Sequence, residues 1–372
     1  MTDLLALPSE PSESGSSRRG SEFAELSRRI KEAGLLVRRP GYYTVKIAAT
    51  AGFLFLGWAA FLLVGRSWWQ LVTAVLLGVA FTQVAFLGHD AGHKQIFRTR
   101  RASYVLGLLH GNLAVGLSYG WWVDKHNRHH AHPNEAGSDP DIGAGGLIFV
   151  PGETRRHRWA GRLTRAQAYF FFPLLLLEGL NLHLGSVIAL RQRPGKARWL
   201  EGTLLLAHLA GYLAVVLIVL SPPQALAFVA VQQGVFGLYM GCSFAPNHKG
   251  MPILSPGNNL DFLRRQVLTS RNVRGGRFTD FVFGGLNYQI EHHLFPSMPR
   301  PSLRRAQTVV REFCRERHIP YVETSLIGSY TQTLRHLHAT GATAVRCAGR
   351  GRCVARRALP RALRRERGCV GP

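Results

Sequence analysis

The chain alternates long apolar segments with segments that are dense in arginine, histidine and other polar residues. The first apolar run, Tyr43 to Val64, is interrupted only by Lys46 near its start, where a long side chain can extend its amine to a membrane boundary. A second run, Trp69 to Gly88, follows after the short connection 65–68. Each run is long enough to cross the hydrocarbon core as a helix, so the two predict a transmembrane hairpin.

Two more strong runs, Thr203 to Leu220 and Gln224 to Ser243, flank a turn at Pro222-Pro223 and predict a second hairpin. Two weaker stretches, Tyr104 to Val123 and Tyr169 to Leu190, carry polar residues and glycines and are expected at the interface or against protein. The pattern therefore predicts an all-α integral membrane protein. It would have four transmembrane helices in two hairpins, interfacial helices and a cytoplasmic cap.

The positive charges indicate an orientation. Lysine and arginine are dense before the first span, between Lys94 and Arg198 and after Lys249, whereas both hairpin turns are nearly uncharged. By the positive-inside rule, the termini and the middle region face the cytoplasm of a multi-pass protein of the cell membrane. If only one of the two weaker stretches were a full span, the histidine clusters described below would lie on opposite faces. Six spans, with both stretches crossing, remain an alternative.

The termini differ from the middle of the chain. The net charge is +25, from 46 basic and 21 acidic residues, which raises the possibility of a nucleic-acid partner. Much of this charge is terminal, however, with nine arginines between residues 341 and 372, so no nucleic-acid binding is expected. We predict a disordered basic segment at 1–39, one folded domain at 40–325 and a disordered, arginine-rich tail at 326–372. No cleavable signal peptide is evident.

The cysteines indicate neither a zinc site nor a disulfide framework. Cys347, Cys353 and Cys369 have spacings that match no zinc ribbon or finger, and Cys242 and Cys314 lie far apart in the sequence.

The histidines carry the candidate chemistry. Three clusters follow predicted helices, and a further histidine follows the last span: His89 and His93; His126, His129 and His130; His292 and His293; and His248. Positions three or four apart share one helix face, so the imidazoles of the first two clusters should converge. Adjacent histidines diverge by about 100° on a helix, so His292 and His293 would serve different metals or different sides of one site.

Eight imidazoles exceed the four ligands of a tetrahedral zinc site, which indicates two metals. A nitrogen-rich site without nearby cysteine favours a redox pair, and iron is the preferred metal. Single histidines near the spans (His110, His183 and His208) are expected to be packed or solvated instead.

The three clusters in this order, with a hairpin before the last, resemble the histidine boxes of the membrane fatty-acid desaturase family. The string Gly285-Leu-Asn-Tyr-Gln-Ile-Glu-His-His-Leu-Phe-Pro296 is especially similar to the third box of front-end and actinobacterial acyl desaturases. The resemblance covers residues 40–325. It implies an oxygen-dependent fatty-acyl desaturase that introduces a double bond into an acyl chain carried by coenzyme A or a lipid.

The resemblance also implies roles for individual residues. Seven histidines would be catalytic iron ligands: His89, His93, His126, His129, His130, His292 and His293. His248 matches the position of a further ligand, and Gln289 stands where many members have the histidine that opens the third box. As a hypothesis, acidic side chains accept hydrogen bonds from ligand histidines; the candidates are Asp90, Asp124, Asp139, Asp141 and Glu291.

Cofactors and partners follow from the same resemblance. Two iron ions, with O2 as co-substrate, would supply the chemistry. Front-end desaturases of eukaryotes commonly carry a fused cytochrome b5 domain with a His-Pro-Gly-Gly motif that this sequence lacks. Electrons are therefore expected from a separate ferredoxin, cytochrome b5-like protein or reductase. The other expected partners are the bilayer and the acyl substrate. The phosphate of the substrate's carrier could contact a group of basic residues, although these residues are also typical of the positively charged flank of a membrane span. The group consists of Lys125, Arg128, Arg155, Arg156 and Arg158.

Other functions are less consistent with the pattern. A di-iron hydroxylase or ketolase acting on an alkyl chain, sterol or carotenoid uses a similar histidine set and is the main alternative. A haem-binding electron carrier would pair histidines across spans at membrane depth, and a metal transporter would place its ligands along the spans. Here most of the histidines flank the spans among charged residues.

Overall fold

The computed structural model describes residues 16–143, 145–152, 163–193 and 195–342, together with two short strands near the C-terminus. Numbered in chain order, the helices are α1 Ser16–Glu32, α2 Pro40–Val64, α3 Gln70–Gly92, α4 Arg100–Gly107, α5 Tyr119–Ala131, α6 Gln167–Leu175, α7 Glu178–Ala189, α8 Gly195–Val219, α9 Pro222–His248, α10 Phe262–Leu268, α11 Arg277–Val282, α12 Gln289–Leu294, α13 Leu303–Glu316 and α14 Leu326–Ala342. A π-helix spans Leu108–Val115, and short 3-10 turns span Leu190–Gln192 and Arg300–Ser302. The strands are β1 Asn272–Val273, β2 Glu323–Thr324, β3 Cys347–Ala348 and β4 Arg352–Cys353.

Four of these helices, α2, α3, α8 and α9, are long and apolar enough to cross a membrane. This confirms the predicted all-α membrane protein with two hairpins. Three of the four helices, α2, α8 and α9, begin earlier than the apolar runs suggest. Pro40 and Pro222 each occupy a first-turn position, where the missing N–H costs no hydrogen bond. Ser221 and Gln224 add a capping box at the start of α9.

The two second helices of the hairpins, α3 and α9, form the centre of the membrane layer. They approach closely at Gly78, where a Cβ atom would lie 2.9 Å from the carbonyl oxygen of Gln232. The first helices, α2 and α8, expose large apolar side chains such as Leu63 and Ile218 on their outer surfaces. Such surfaces suit contact with lipid acyl chains.

The weaker apolar stretches do not form straight spans. The first becomes the end of α4, the π-helix and the start of α5, with a left-handed turn at Gly116 (φ 79°). The second becomes α6 and α7, which are bent by 72° relative to each other. Only if this bent pair is counted as one span does the number of candidate crossings rise from four to five.

Near the N-terminus, the predicted disorder through residue 39 is wrong for helix α1. Leu26 and Ile30 are fully buried in a core with Phe313 of α13, and Arg29 forms an ion pair with Glu316 at 2.8 Å. These apolar residues recur at helical spacing, but the average composition of the segment is polar and obscures them. Residues 1–15 lie outside the described part of the chain.

At the other end, the folded structure extends beyond the predicted boundary at residue 325. Helix α14 buries Thr333 and Leu337, and Gln167 of α6 donates a hydrogen bond to the Leu337 carbonyl at 2.9 Å. Beyond β3 and β4, the remainder of the predicted tail, including Cys369, lies outside the described residues.

A layer of short helices covers one end of the membrane helices. Helices α1, α10, α12 and α13 share one apolar core, and β1 pairs with β2 in parallel. A polar run, residues 269–272, leads from α10 into β1, and every residue in it is fully buried. Because α3 and α9 both lead from their hairpin turns into this layer, their last residues meet there.

Candidate metal centre

The predicted histidine clusters lie at the ends of three helices and on a short fourth helix. His89 lies in the last turn of α3, His93 immediately follows that helix, and His248 is the last residue of α9. Helix α5 carries the second cluster in its last two turns, and α12 contributes His292 and His293. All eight imidazoles meet in one region, where neighbouring ring centroids lie between 4.2 and 6.2 Å apart.

One group of four contains His89, His93, His126 and His292. One ring nitrogen from each lies within 4.8 Å of the others. The Nε2 atoms of His93 and His126 are only 2.9 Å apart. The Nε2 atoms of His89 and His292 are buried and have no hydrogen-bond partner among the described residues.

A second group contains His129, His248 and His293, again with one ring nitrogen of each within 4.8 Å of the others. In all three rings, Nδ1 has an oxygen acceptor. His129 donates to Asp139 at 3.0 Å, His248 to the Thr269 carbonyl at 3.0 Å, and His293 to Gln266 Oε1 at 2.8 Å.

These hydrogen bonds fix the tautomers of the second group. With the proton on Nδ1, each Nε2 carries a lone pair. The Nε2 atoms of His129 and His248 face each other at 3.3 Å, and that of His293 is buried without a partner among the described residues. Converging lone pairs repel one another unless a cation lies between them, so the donor set fits a metal ion.

His130 lies between the two groups. Its ring centroid is 4.7 Å from that of His93 in the first group and 4.2 Å from that of His293 in the second. Its Nε2 is 3.1 Å from His126 Nε2. The adjacent His292 and His293 are divided between the groups, as their divergence on a helix allows.

Burial and the neighbouring imidazoles lower the pKa values of five of these rings well below the usual histidine range: His93, His126, His130, His292 and His293. The rings are therefore neutral near pH 7, which is the form that binds metals.

Among the candidate acids, Asp139 and Asp141 lie beside His129. Asp141 Oδ2 is 3.5 Å from His129 Nδ1, and its other oxygen pairs with Lys125 at 2.6 Å. Asp90 is 3.4 Å from His89 Nδ1 and forms a buried ion pair with Arg300 at 2.7 Å.

Two of the candidate acids have partners other than a histidine. The Glu291 carboxylate accepts hydrogen bonds from Asn272 Nδ2 at 2.7 Å and the Tyr321 hydroxyl at 2.8 Å instead of from a histidine. Burial raises the pKa of Glu291 to about 7. Asp124 pairs with Arg193 at 2.9 Å. Glu291 therefore attaches α12 to β1, and Asp124 belongs to a separate ion-pair cluster.

Gln289 lies beside the second group. Its Nε2 is 2.9 Å from His248 Nε2, and its Oε1 accepts from Asn247 Nδ2 at 3.2 Å. Of the predicted basic group, Lys125 is bound to Asp141, whereas Arg155, Arg156 and Arg158 lie outside the described residues.

The three single histidines form hydrogen bonds with backbone carbonyls near the π-helix. His183 and His208 donate to the carbonyls of Gly116 and Leu113 at 2.8 and 2.9 Å, and His110 donates to Leu106 at 3.1 Å. They satisfy carbonyls at irregular helix ends, which is consistent with the predicted packed state.

A buried carboxylate that the sequence analysis did not identify positions α5. Glu201 of α8 accepts from the Ser118 hydroxyl at 2.5 Å and the Gly120 amide at 3.3 Å, both at the start of α5. Arg193 pairs with Glu201 at 2.7 Å. Gly120 is required there, since a Cβ atom would lie 1.8 Å from Arg193 Nη2. A glutamate among the leucines of α8 was the available sequence signal.

Comparison with known proteins agrees with this geometry. The model of the family described as fatty acid desaturase matches residues 66–325. A delta(6)-fatty-acid desaturase of Caenorhabditis elegans is 29% identical, over 85% of this chain and 74% of its own length. A delta(5) fatty acid desaturase of the same organism is 32% identical, over 84% and 72%. An acyl-lipid (9-3)-desaturase of Physcomitrium patens is 32% identical, over 72% of this chain but only 52% of its own length.

Proposed function

The chain belongs to the fatty acid desaturase family and is a membrane oxidoreductase that desaturates fatty acids, and on that premise we propose that its histidine groups bind two iron ions. His89, His93, His126 and His292 would hold one ion. His129, His248 and His293 would hold the other, with His130 next to both. The supporting observation is that the Nε2 atoms of His129 and His248 face each other at 3.3 Å, while each ring holds its proton on Nδ1 against an oxygen acceptor.

The reaction requires a cofactor, because the C–H bonds of a saturated acyl chain are neither acidic nor polarised. When bound, the iron pair supplies, together with O2, an oxidant that can remove hydrogen from two adjacent methylenes. The atoms balance if the two substrate hydrogens, two electrons and two protons convert O2 to two waters. We propose that the electrons come from a separate ferredoxin, cytochrome b5-like protein or reductase.

The protein's own contribution is to hold the ligand rings in one orientation. Asp139, the Thr269 carbonyl and Gln266 each fix an Nδ1 proton, so the rings of the second group need little rearrangement when the metal binds. Gln289 lies beside the same group, within hydrogen-bonding distance of His248 Nε2. The closely packed, buried rings also limit the access of bulk water to the centre.

We propose a fatty-acyl group carried by coenzyme A or a membrane lipid as the substrate. The membrane location suits this choice, because each buried methylene contributes about 0.8 kcal/mol and an acyl chain has many of them. The basic flanks of the spans favour an active site on the cytoplasmic side of the cell membrane.

Expression in a host of known lipid composition tests the proposal. Mass spectrometry of the fatty acids should detect a new double bond, and metal analysis of the purified protein should find two irons per chain. His129→Ala should remove the product and lower the iron content. His338→Ala, which removes an exposed histidine of α14, is the matched control and should retain both.

The main alternative predicts a different product. A hydroxylase or ketolase would add oxygen to the chain, and a product of that kind would replace the desaturase assignment. A new double bond that persists in His129→Ala would overturn the iron-ligand assignment.

A further inference from the structure

A cavity of about 500 Å³ lies beside the end of α3 and the start of α5, the two helices that carry the first two histidine clusters. Its wall includes Ala91 and Gly92, which lie between His89 and His93 in the sequence, and Val123, three residues before His126. A ligand in this cavity would thus be next to the backbone that carries the histidines.

The cavity is strongly basic. Lys94, Arg100 and Arg101 line it and are exposed, and within the described ranges no carboxylate forms an ion pair with any of them. Among the described residues, Asp124 is the one acid in the wall, and it pairs with Arg193 at 2.9 Å.

Contacts outside the cavity hold two of its cationic residues, Arg193 and Lys94. Arg193 also lines the cavity, and it is fixed by the fully buried Glu201 at 2.7 Å. The Lys94 backbone has φ 57°, and its carbonyl accepts from Arg38 Nη1 at 2.6 Å. The wall is therefore anchored at Arg193 and at the Lys94 backbone, and a fixed wall reduces the entropy cost of ligand binding.

Apart from Ser103, the rest of the wall is apolar or aromatic. Tyr104 and Tyr119 line it with ring centroids 6.0 Å apart, alongside the small apolar residues already named. A wall with a cationic rim and an apolar, aromatic interior suits an amphipathic ligand with a compact anion.

We propose that this cavity binds the phosphate of the acyl carrier, with Arg100 and Arg101 as its principal contacts. Guanidinium groups form charge-assisted, two-pronged hydrogen bonds to phosphate oxygens, which suits this choice of anion. The inference rests on the proposed function only for the identity of the attached acyl chain. Both coenzyme A and a phospholipid headgroup provide the required phosphate.

The test uses the full-length, iron-loaded protein without an electron donor, so that binding is measured without turnover. One arm measures the affinity for stearoyl-CoA by calorimetry, with free coenzyme A as competitor. The other uses phosphatidylcholine nanodiscs and counts retained phospholipid by native mass spectrometry. The variant is Arg100→Gln/Arg101→Gln, and Arg100→Lys/Arg101→Lys keeps the charge.

A second basic cavity provides the matched control. Arg39 and Arg305 line it together with Tyr42 and Pro301, and it includes no histidine-cluster residue. Arg39→Gln/Arg305→Gln removes the same charge, so it reports any general effect of a less basic surface.

We expect Arg100→Gln/Arg101→Gln to weaken binding roughly tenfold, as the loss of a charge-assisted hydrogen bond predicts. The lysine variant should lose less, and the control should bind like the unmodified protein. A loss confined to stearoyl-CoA identifies coenzyme A as the source of the phosphate, and a loss confined to phospholipid identifies the headgroup.

Unchanged binding of both ligands, or an equal loss in the control, would overturn the proposal. Thermal unfolding of each variant separates loss of the site from loss of the fold, and the single variant Arg101→Gln repeats the test with less perturbation. If no double bond forms in any host but the binding pattern holds, the desaturase assignment fails and the phosphate site remains.

Discussion

Asp139 accepts the Nδ1 proton of His129 with both carboxylate oxygens, each 3.0 Å from the ring nitrogen. The same carboxylate also accepts a hydrogen bond from the backbone N–H of Asn134 at 2.8 Å. The acid is therefore fixed to the loop after α5 and to a histidine on α5. Any change in the charge of Asp139 should therefore change the basicity of the His129 ring.

Asp139→Asn should lower iron occupancy and activity by roughly 10- to 100-fold, the usual effect of losing a partner of a metal ligand. The amide retains the shape but removes the negative charge that increases the basicity of His129. Metal analysis and product yield measure the effect. Glu312→Gln, at a half-exposed carboxylate that pairs with Arg315, is the control, and an equal loss in both variants would contradict the role of Asp139.

Glu201→Gln should destabilise the protein by about 3 kcal/mol, because it leaves Arg193 partly buried with a weakened partner. The start of α5 should loosen, so iron should be lost from both groups. Thermal unfolding in detergent and metal analysis provide the two measurements.

The double variant Arg193→Met/Glu201→Leu provides the contrast. It removes both charges and should be less destabilised than Glu201→Gln alone. If the double variant is instead much less stable than Glu201→Gln, Glu201 stabilises the fold through contacts other than this ion pair.

Arg271→Met should cost about 2 to 4 kcal/mol of stability. The fully buried guanidinium donates to the carbonyls of Pro246, Lys249 and Ser329, and methionine leaves these buried acceptors unsatisfied. Because these bonds connect the end of α9 to α14, iron should be lost first from the group that contains His248.

The control for this experiment is Arg311→Met, at an exposed arginine whose ion pair with Glu323 spans 3.7 Å. It should change the melting temperature by less than Arg271→Met. Full stability of Arg271→Met would show that water replaces its hydrogen bonds.

Removal of iron by a chelator should lower the melting temperature, since a ligand that binds only the folded state stabilises it by mass action. Differential scanning fluorimetry before and after chelation, and again after iron is restored, measures the difference. In His129→Ala the difference should shrink. In His338→Ala it should match the unmodified chain, and no difference in either would argue against a metal at this centre.

The spans and the histidine clusters were predictable because both depend on local features. A run of about twenty apolar residues has few structural options other than crossing a membrane, and histidines at helical spacing share a face. The arrangement of His292 and His293 in two groups required the position of α12 relative to α5, which no local pattern contains.

The partners of the ligand rings were harder to predict for a different reason. His248 is oriented by the backbone carbonyl of Thr269, and a carbonyl has no sequence signature. Gln266 is one polar residue in a short amphipathic helix, and Arg271 lies in a polar run that is typical of a loop. Only their burial against α9 and α12 distinguishes them from ordinary surface residues.

The division of adjacent histidines between the two groups has a consequence for metal loading. His292 and His293 lie on one six-residue helix, while His126 and His129 lie on another, so each helix contributes to both groups. Ordering these helices around a first ion also orders the ligands of the second. The second ion should therefore bind more tightly than the first, and titration with Fe(II) should give a sigmoidal curve with few singly loaded molecules.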